Sequence, residues 1–216
     1  MMFAYSLELK KTDFSHEAKQ LLKYISIDRM KKIQSYKFSV DQLLSLYGEL
    51  LVRKGIMDLT GLKNEEIDFD IGLYGKPSVM KLDGIFFNIS HTRDCVCCCL
   101  STKYQIGIDV EKIDNPPYEI MSNFFHPNEI RMINSRKNDD RDNIFYEMWT
   151  RKEAYLKRKG IGINQEITKC DTLQVVDSFH TLRIKNYFCT ICSEESTLNS
   201  FKELSERELF NYFIKE

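Results

Sequence analysis

Two acidic residues two positions apart in a β-prone run are the first sign of chemistry in this chain. In Ile106-Gly-Ile-Asp-Val-Glu111 the apolar residues Ile106, Ile108 and Val110 alternate with Gly107, Asp109 and Glu111. A strand here buries the first set and projects Asp109 and Glu111 together from its other face, roughly 6.6 Å apart. Carboxylates so placed repel one another unless a proton or a cation lies between them. A hard divalent ion, magnesium first, resolves that repulsion; two solvated acids at an exposed strand end resolve it as well. A third carboxylate shifts the balance toward the ion. In Phe145-Tyr-Glu-Met-Trp-Thr-Arg-Lys-Glu-Ala-Tyr-Leu-Lys157, the residues Trp149, Glu153 and Lys157 recur every four positions and share one helix stripe. Glu153 and Lys157 form either a surface ion pair, worth roughly 0.2–0.5 kcal/mol, or part of an open metal set that leaves room for substrate phosphate and water.

Such a site needs phosphate ligands, and several separate stretches offer them. Gly75-Lys76-Pro77 holds a lysine between two turn-forming residues, and Asn88-Ile-Ser-His91 ends a β-prone run on a hydroxyl and an imidazole. Ser26–Lys37 carries Arg29, Lys31, Lys32 and Lys37. Each has an ordinary structural reading, a solvated helix face for the basic stretch and a structural histidine for His91. Together they suit a polyphosphate.

The elements that must position these residues follow from periodicity. Residues 16–24 and 39–56 carry apolar positions at helical spacing, with Val40, Leu43, Leu44, Tyr47, Leu50 and Leu51 forming the stripe of the second. Short β-prone runs follow at Ile67–Leu73, Ile85–Ile89, Cys95–Ser101 and Gln105–Glu111. After Pro116-Pro117, helical patterns return at 128–137 and 142–158, then runs at 172–177, 180–185 and 187–192 read as strands, before a charged segment around Phe201–Phe213. Helices followed by strands thus occur twice, which predicts an α+β fold of two similar halves, 1–111 and 112–216, joined face to face. No residue-level repeat links them.

With 31 Lys+Arg against 32 Asp+Glu the net charge is −1, so neither a nucleic-acid coat nor a polybasic membrane surface is expected. No apolar run approaches the roughly 18 residues of a spanning helix, and a cytoplasmic protein is expected. The seven cysteines form no framework spacing, and Val96-Cys-Cys-Cys-Leu100 reads as small buried residues carrying reduced thiols. Cys189-x-x-Cys192 has zinc-like spacing, but the run around it alternates like a strand and no second pair answers it.

The chain resembles the Sfp-type 4′-phosphopantetheinyl transferases. The likeness is carried by Gly75-Lys-Pro77, Phe87-Asn-Ile-Ser-His91, Gly107-Ile-Asp-Val-Glu111, Phe124-Phe125 followed by Glu129, and Trp149-Thr-Arg-Lys-Glu-Ala-Tyr-Leu-Lys157 followed by Gly160-Ile-Gly162. A weaker likeness over Ser26–Gly55 includes Asp41 and Gly48. The resemblance implies two pseudosymmetric α/β halves with coenzyme A and Mg2+ in the cleft between them. It implies Asp109, Glu111 and Glu153 as metal-binding acids, with Lys157 near the diphosphate as general acid. Lys76, Ser90 and His91 would bind the nucleotide phosphates, His91 the 3′-phosphate. Arg29 and Lys32 fall where relatives place basic phosphate ligands, and Ser45 where a small hydroxyl assists, while Leu43 and Leu44 replace basic residues often found there. Glu129 matches a glutamate proposed as a base in some members, and it is equally a helix-start acid.

The reaction so implied is attack by a serine of an apo-acyl or peptidyl carrier protein on the β-phosphate of coenzyme A, releasing adenosine 3′,5′-bisphosphate, with Glu153, Glu129 or a metal-bound water as base. Phe124, Phe125 and the segment 114–127 would meet the carrier, and the length suggests a single-chain monomer. Two other functions fit the same residues: a metal-dependent phosphohydrolase with water as nucleophile, and a non-catalytic coenzyme A-binding module.

Overall fold

The computed structural model describes residues 1–72, 76–160 and 167–215, so Leu73, Gly75 and the Ile161-Gly162 pair lie outside the described residues. The first strand, β1 (Met2–Glu8), was not expected from periodicity, because nearly every position in it is buried. Met2 and Ala4 enter one core and Phe3, Tyr5 and Leu7 another, so no polar face marks it as a strand.

Among the described residues six strands, β1 to β6, precede residue 113. β2 (Phe69–Ile71) and β3 (Pro77–Val79) form a small ribbon. β4 (Phe86–Thr92) and β5 (Cys95–Ser101) form a hairpin turned by Arg93 in the left-handed region, φ 47°. β5 continues antiparallel onto β1, and β6 (Ile106–Lys112) leaves for a second sheet. There it pairs with β8 (Tyr187–Ser193), which pairs with β7 (Ser178–Ile184), giving the order β6-β8-β7. The cysteines fill space: Cys95, Cys97 and Cys99 of β5 and Cys189 of β8 pack between the sheets with Ile106, Ile108 and Val110, and all seven thiols are free.

A 22-residue helix crosses each sheet. Before the first come α1 (His16–Leu21) and α2 (Ile27–Ser35), each capped by a serine hydroxyl, that of Ser15 or Ser26. α3 (Ser39–Thr60) then lies on β4 and β5, with Gly48 against Ile89 and Val96. After a short turn α4 (Met121–Phe124) and α5 (Pro127–Asn134), α6 (Asn138–Lys159) lies on β6 and β8. It touches β6 so closely that a Cβ on Gly107 would stand 2.0 Å from the Ala154 carbonyl oxygen. Gly61 and Gly160, at φ 72° and 69°, end the two long helices. Among the described residues no helix is long and apolar enough to cross a membrane.

Two expectations about the C-terminal part change. Residues 172–177 form turns rather than a strand, because Asp171 accepts the Leu173 amide on its side chain and the Gln174 amide on its carbonyl, bending the chain and leaving Val176 fully exposed. The charged segment resolves into β9 (Ser200–Leu204), parallel to β1 in the order β4-β5-β1-β9, and α7 (Glu206–Ile214). Leu209 and Phe213 of α7 pack into the helical core around α3. The half expected over 112–216 therefore gives its last two elements to the first sheet.

The edges of the two sheets meet where β4 runs beside β6. Side chains replace backbone there: Asn88 Oδ1 accepts the Ile108 amide at 2.9 Å, and the Ser90 hydroxyl accepts that of Val110 at 3.4 Å. Asn88→Ala leaves the buried Ile108 N–H unpartnered and is expected to destabilise the protein by about 1–3 kcal/mol, read from the midpoint of urea unfolding.

Candidate active site

As the alternation in β6 requires, Gly107, Asp109 and Glu111 face α6. The stripe on that helix brings Trp149, Glu153 and Lys157 over them. Lys157 Nζ donates to Asp109 Oδ1 at 2.6 Å and to Ser90 Oγ at 2.8 Å, while the Ser90 hydroxyl donates to the same Asp109 oxygen at 2.9 Å. Thr92 donates to Glu111 Oε2 at 3.0 Å. Ser90 and Thr92 stand two residues apart on β4, as Asp109 and Glu111 do on β6, so one strand holds the acids of the other.

Three acids facing one amine set the electrostatics. Burial, then repulsion from Asp109, raises the Glu153 carboxyl to about 7, with Lys157 only partly offsetting them. Glu111 is raised by burial and by Asp109, against the pull of Thr92, the Trp149 indole and Lys157. Burial alone would lower the Lys157 ammonium, but Asp109, Glu153 and Glu111 together hold it above the ordinary lysine value. The group is a cation held among acids that carry charge in excess of it.

The acids fit a small hard cation in one specific respect. Asp109 Oδ2 and Glu153 Oε1 are buried with no hydrogen-bond partner, and an acceptor so placed is costly unless something positive meets it. Among the described residues no three His, Cys, Asp or Glu side chains close around one point at metal-binding distances.

Beyond His91 lies a cationic rim. His91 keeps an exposed edge, yet its imidazole is lowered by desolvation and by Lys157, Lys32 and Arg29, with Asp41 opposing. Arg29 and Lys32 also line a cavity of about 140 Å³ with Glu49, Phe69, Pro77 and Phe87. Glu49, absent from the sequence reading, aims Arg29. Its carboxylate accepts Arg29 Nε at 3.1 Å, Arg53 Nε at 2.8 Å and both the amide and hydroxyl of Ser26. A charged residue inside the buried stretch of α3 was the available signal. Ser45 is buried and touches the Arg29 guanidinium at 3.4 Å, so it meets the rim through Arg29.

Three other expected residues are engaged by neighbours of their own. Glu129 is fully buried: its Oε1 accepts the amide and hydroxyl of Thr172, and its Oε2 accepts the His126 amide and pairs with Lys152 Nζ at 2.7 Å. A carboxylate so saturated closes a capping box and anchors residues 167–172; it has no lone pair facing a substrate. Lys76 does not reach toward the rim, because its ammonium is held by backbone carbonyls at the end of α6. Phe125 is buried against Phe145 and Trp149 and forms core, while Phe124 packs edge-on to Trp149 at 5.5 Å.

Comparison with known proteins identifies the family. A sequence model of the 4′-phosphopantetheinyl transferase superfamily matches residues 105–208, and one described as 4′-phosphopantetheinyl transferase, N-terminal, matches residues 12–103. The chain is 33% identical over 206 residues to 4′-phosphopantetheinyl transferase gsp of Aneurinibacillus migulanus, covering 88% of this chain and 86% of the relative. It is 26% identical over 224 residues to 4′-phosphopantetheinyl transferase Sfp of Bacillus subtilis strain 168, covering 94% and 100%.

The raised Glu153 pKa has a sign that can be checked. A carboxyl at about 7 when folded and 4.5 when unfolded binds its proton more tightly in the native state, so its contribution to stability is full below pH 4.5 and is lost as pH rises through 7. Glu153→Gln is therefore expected to flatten the fall in stability between pH 5 and 7.5. In the wild-type protein, carbon-detected NMR should show the carboxyl titrating near neutrality.

Proposed function

The chain belongs to the 4′-phosphopantetheinyl transferase superfamily, and on that premise we propose that it transfers 4′-phosphopantetheine from coenzyme A to a serine of an acyl or peptidyl carrier protein. The observation that carries this reading is the set of Asp109, Glu111 and Glu153 under Lys157, with two carboxylate oxygens left unpartnered beside a cationic rim. We read the protein as two pseudosymmetric halves with the site between them. In support, each half has a 22-residue helix on a sheet, ended by a left-handed glycine. A single chain holding both halves would act as a monomer.

Arg29 and Lys32, which border the cavity, and His91, whose imidazole feels both of their charges, would bind the nucleotide phosphates. Asp109, Glu111 and Glu153 would hold Mg2+, which when bound supplies positive charge to the diphosphate. The serine oxygen forms a bond to the β-phosphorus as the bond from that phosphorus to the bridging oxygen breaks, and adenosine 3′,5′-bisphosphate leaves. Glu153 would take the serine proton as general base. Lys157, held cationic by its acids, would stabilise the leaving phosphate and supply a proton to it. On the other flank of Glu111 a cavity of about 340 Å³, bordered by Thr92, Arg93, Lys112, Tyr146 and Trp149, leaves space for the acceptor.

The test is incubation with coenzyme A, magnesium and an apo-carrier, read by mass spectrometry as a gain of phosphopantetheine on the carrier. Phosphopantetheine released without any carrier would show a hydrolase instead, and tight binding with no turnover a non-catalytic module. Asp109→Asn is expected to lower transfer by at least about a hundredfold. His91→Ala is expected chiefly to raise KM for coenzyme A, with kcat little changed.

A further inference from the structure

We propose that Lys76 is a positioning residue for the transfer reaction: its ammonium fastens the last turn of α6 to the start of β6 and so sets the spacing of the groups that those two elements carry. This rests on the transferase reading above.

Lys76 Nζ donates to the Lys157 carbonyl at 3.0 Å, the Arg158 carbonyl at 3.2 Å, the Ile106 carbonyl at 3.2 Å and the Gln105 side-chain oxygen at 3.2 Å. Two of these oxygens belong to the end of α6, where the final carbonyls lack partners within the helix. Gly160 takes the Leu156 carbonyl, and Lys76 takes the next two. A cation there also complements the negative end of the helix dipole. The third backbone oxygen opens β6, three residues before Asp109. One ammonium therefore bonds the carbonyl of Lys157 itself and the strand that bears the Asp109 it pairs with.

The surroundings leave this clamp little freedom. The Lys76 stem passes the end of α6, its Cδ within 3.9 Å of where Gly160 would carry a Cβ, and on the β6 side Gly107 lets the Ala154 and Arg158 backbones rest on the strand. Lys76 comes from outside both elements, immediately before β3, so it ties the ribbon of the first half to the helix and strand that hold the acids. Its three protons are already shared among four oxygens, which leaves none for a phosphate in this arrangement.

The test uses ligand-free protein and full turnover with the Lys76→Met and Lys76→Arg variants. In Lys76→Met, hydrogen exchange at the amides of residues 155–160 should quicken severalfold without coenzyme A present. Its kcat should fall by about ten- to a hundredfold, with KM for coenzyme A nearly unchanged. Lys76→Arg, which keeps charge and donors, should recover most of both. Unaltered exchange in Lys76→Met, or a raised KM at unchanged kcat as expected for a phosphate ligand, would overturn the proposal. Should Lys76→Met not fold, Lys76→Gln is measured in the same way. Wild-type protein that fails to label any apo-carrier overturns the transferase reading instead, and the exchange measurement still decides whether Lys76 clamps the helix.

Discussion

The edge-to-edge meeting of β4 and β6 is the constraint on which the rest of the site depends. Two sheet edges lie side by side without a backbone ladder, and an unpaired buried amide is among the costliest things a fold can leave. Asn88 and Ser90 answer the Ile108 and Val110 amides, and Ser90 and Thr92 go on to bond Asp109 and Glu111. The row of small polar side chains thus does two tasks at once. It joins the sheets, and it holds both acids in register with the strand from which they project.

Given that junction, α6 has one place to lie. Gly107 allows the helix backbone onto β6, and Thr150 of the helix bonds Thr190 of β8 at 2.7 Å within the same contact. The result is a close-packed wall with a charged group set into it. Burial, and then repulsion among three carboxylates that Lys157 alone cannot satisfy, raises the proton affinity of Glu153 and Glu111.

Much of this was legible in the sequence because it was local. The period-two pattern of Ile106–Glu111 and the period-four stripe of Trp149, Glu153 and Lys157 assigned the acids and the amine to two faces, and those faces do meet. What escaped reading depends on partners distant along the chain. Nothing near Glu129 announces Lys152 and Thr172, and nothing near Lys76 announces the end of α6. Residues 172–177 read as a strand from apolar content, while the side chain of Asp171 decided for a turn. Phe125, expected with Phe124 to meet the carrier, is enclosed by Phe145 and Trp149, which lie some twenty residues or more further along the chain.

The pairing of β1 with β9 carries a consequence for how the molecule is made. Residues 3–7 lie parallel to residues 200–204, and α7 then closes the core around α3. During synthesis β1 leaves the ribosome long before β9, so the first sheet keeps an open hydrophobic edge while the chain between them is translated. Parallel pairing across such a sequence separation is slow to form and exposed to aggregation until it does. The second sheet faces no such wait, since β6, β7 and β8 emerge within a shorter span. Assembly should therefore run against the order of translation: the half that carries the acids can settle first, and the half translated first is completed last.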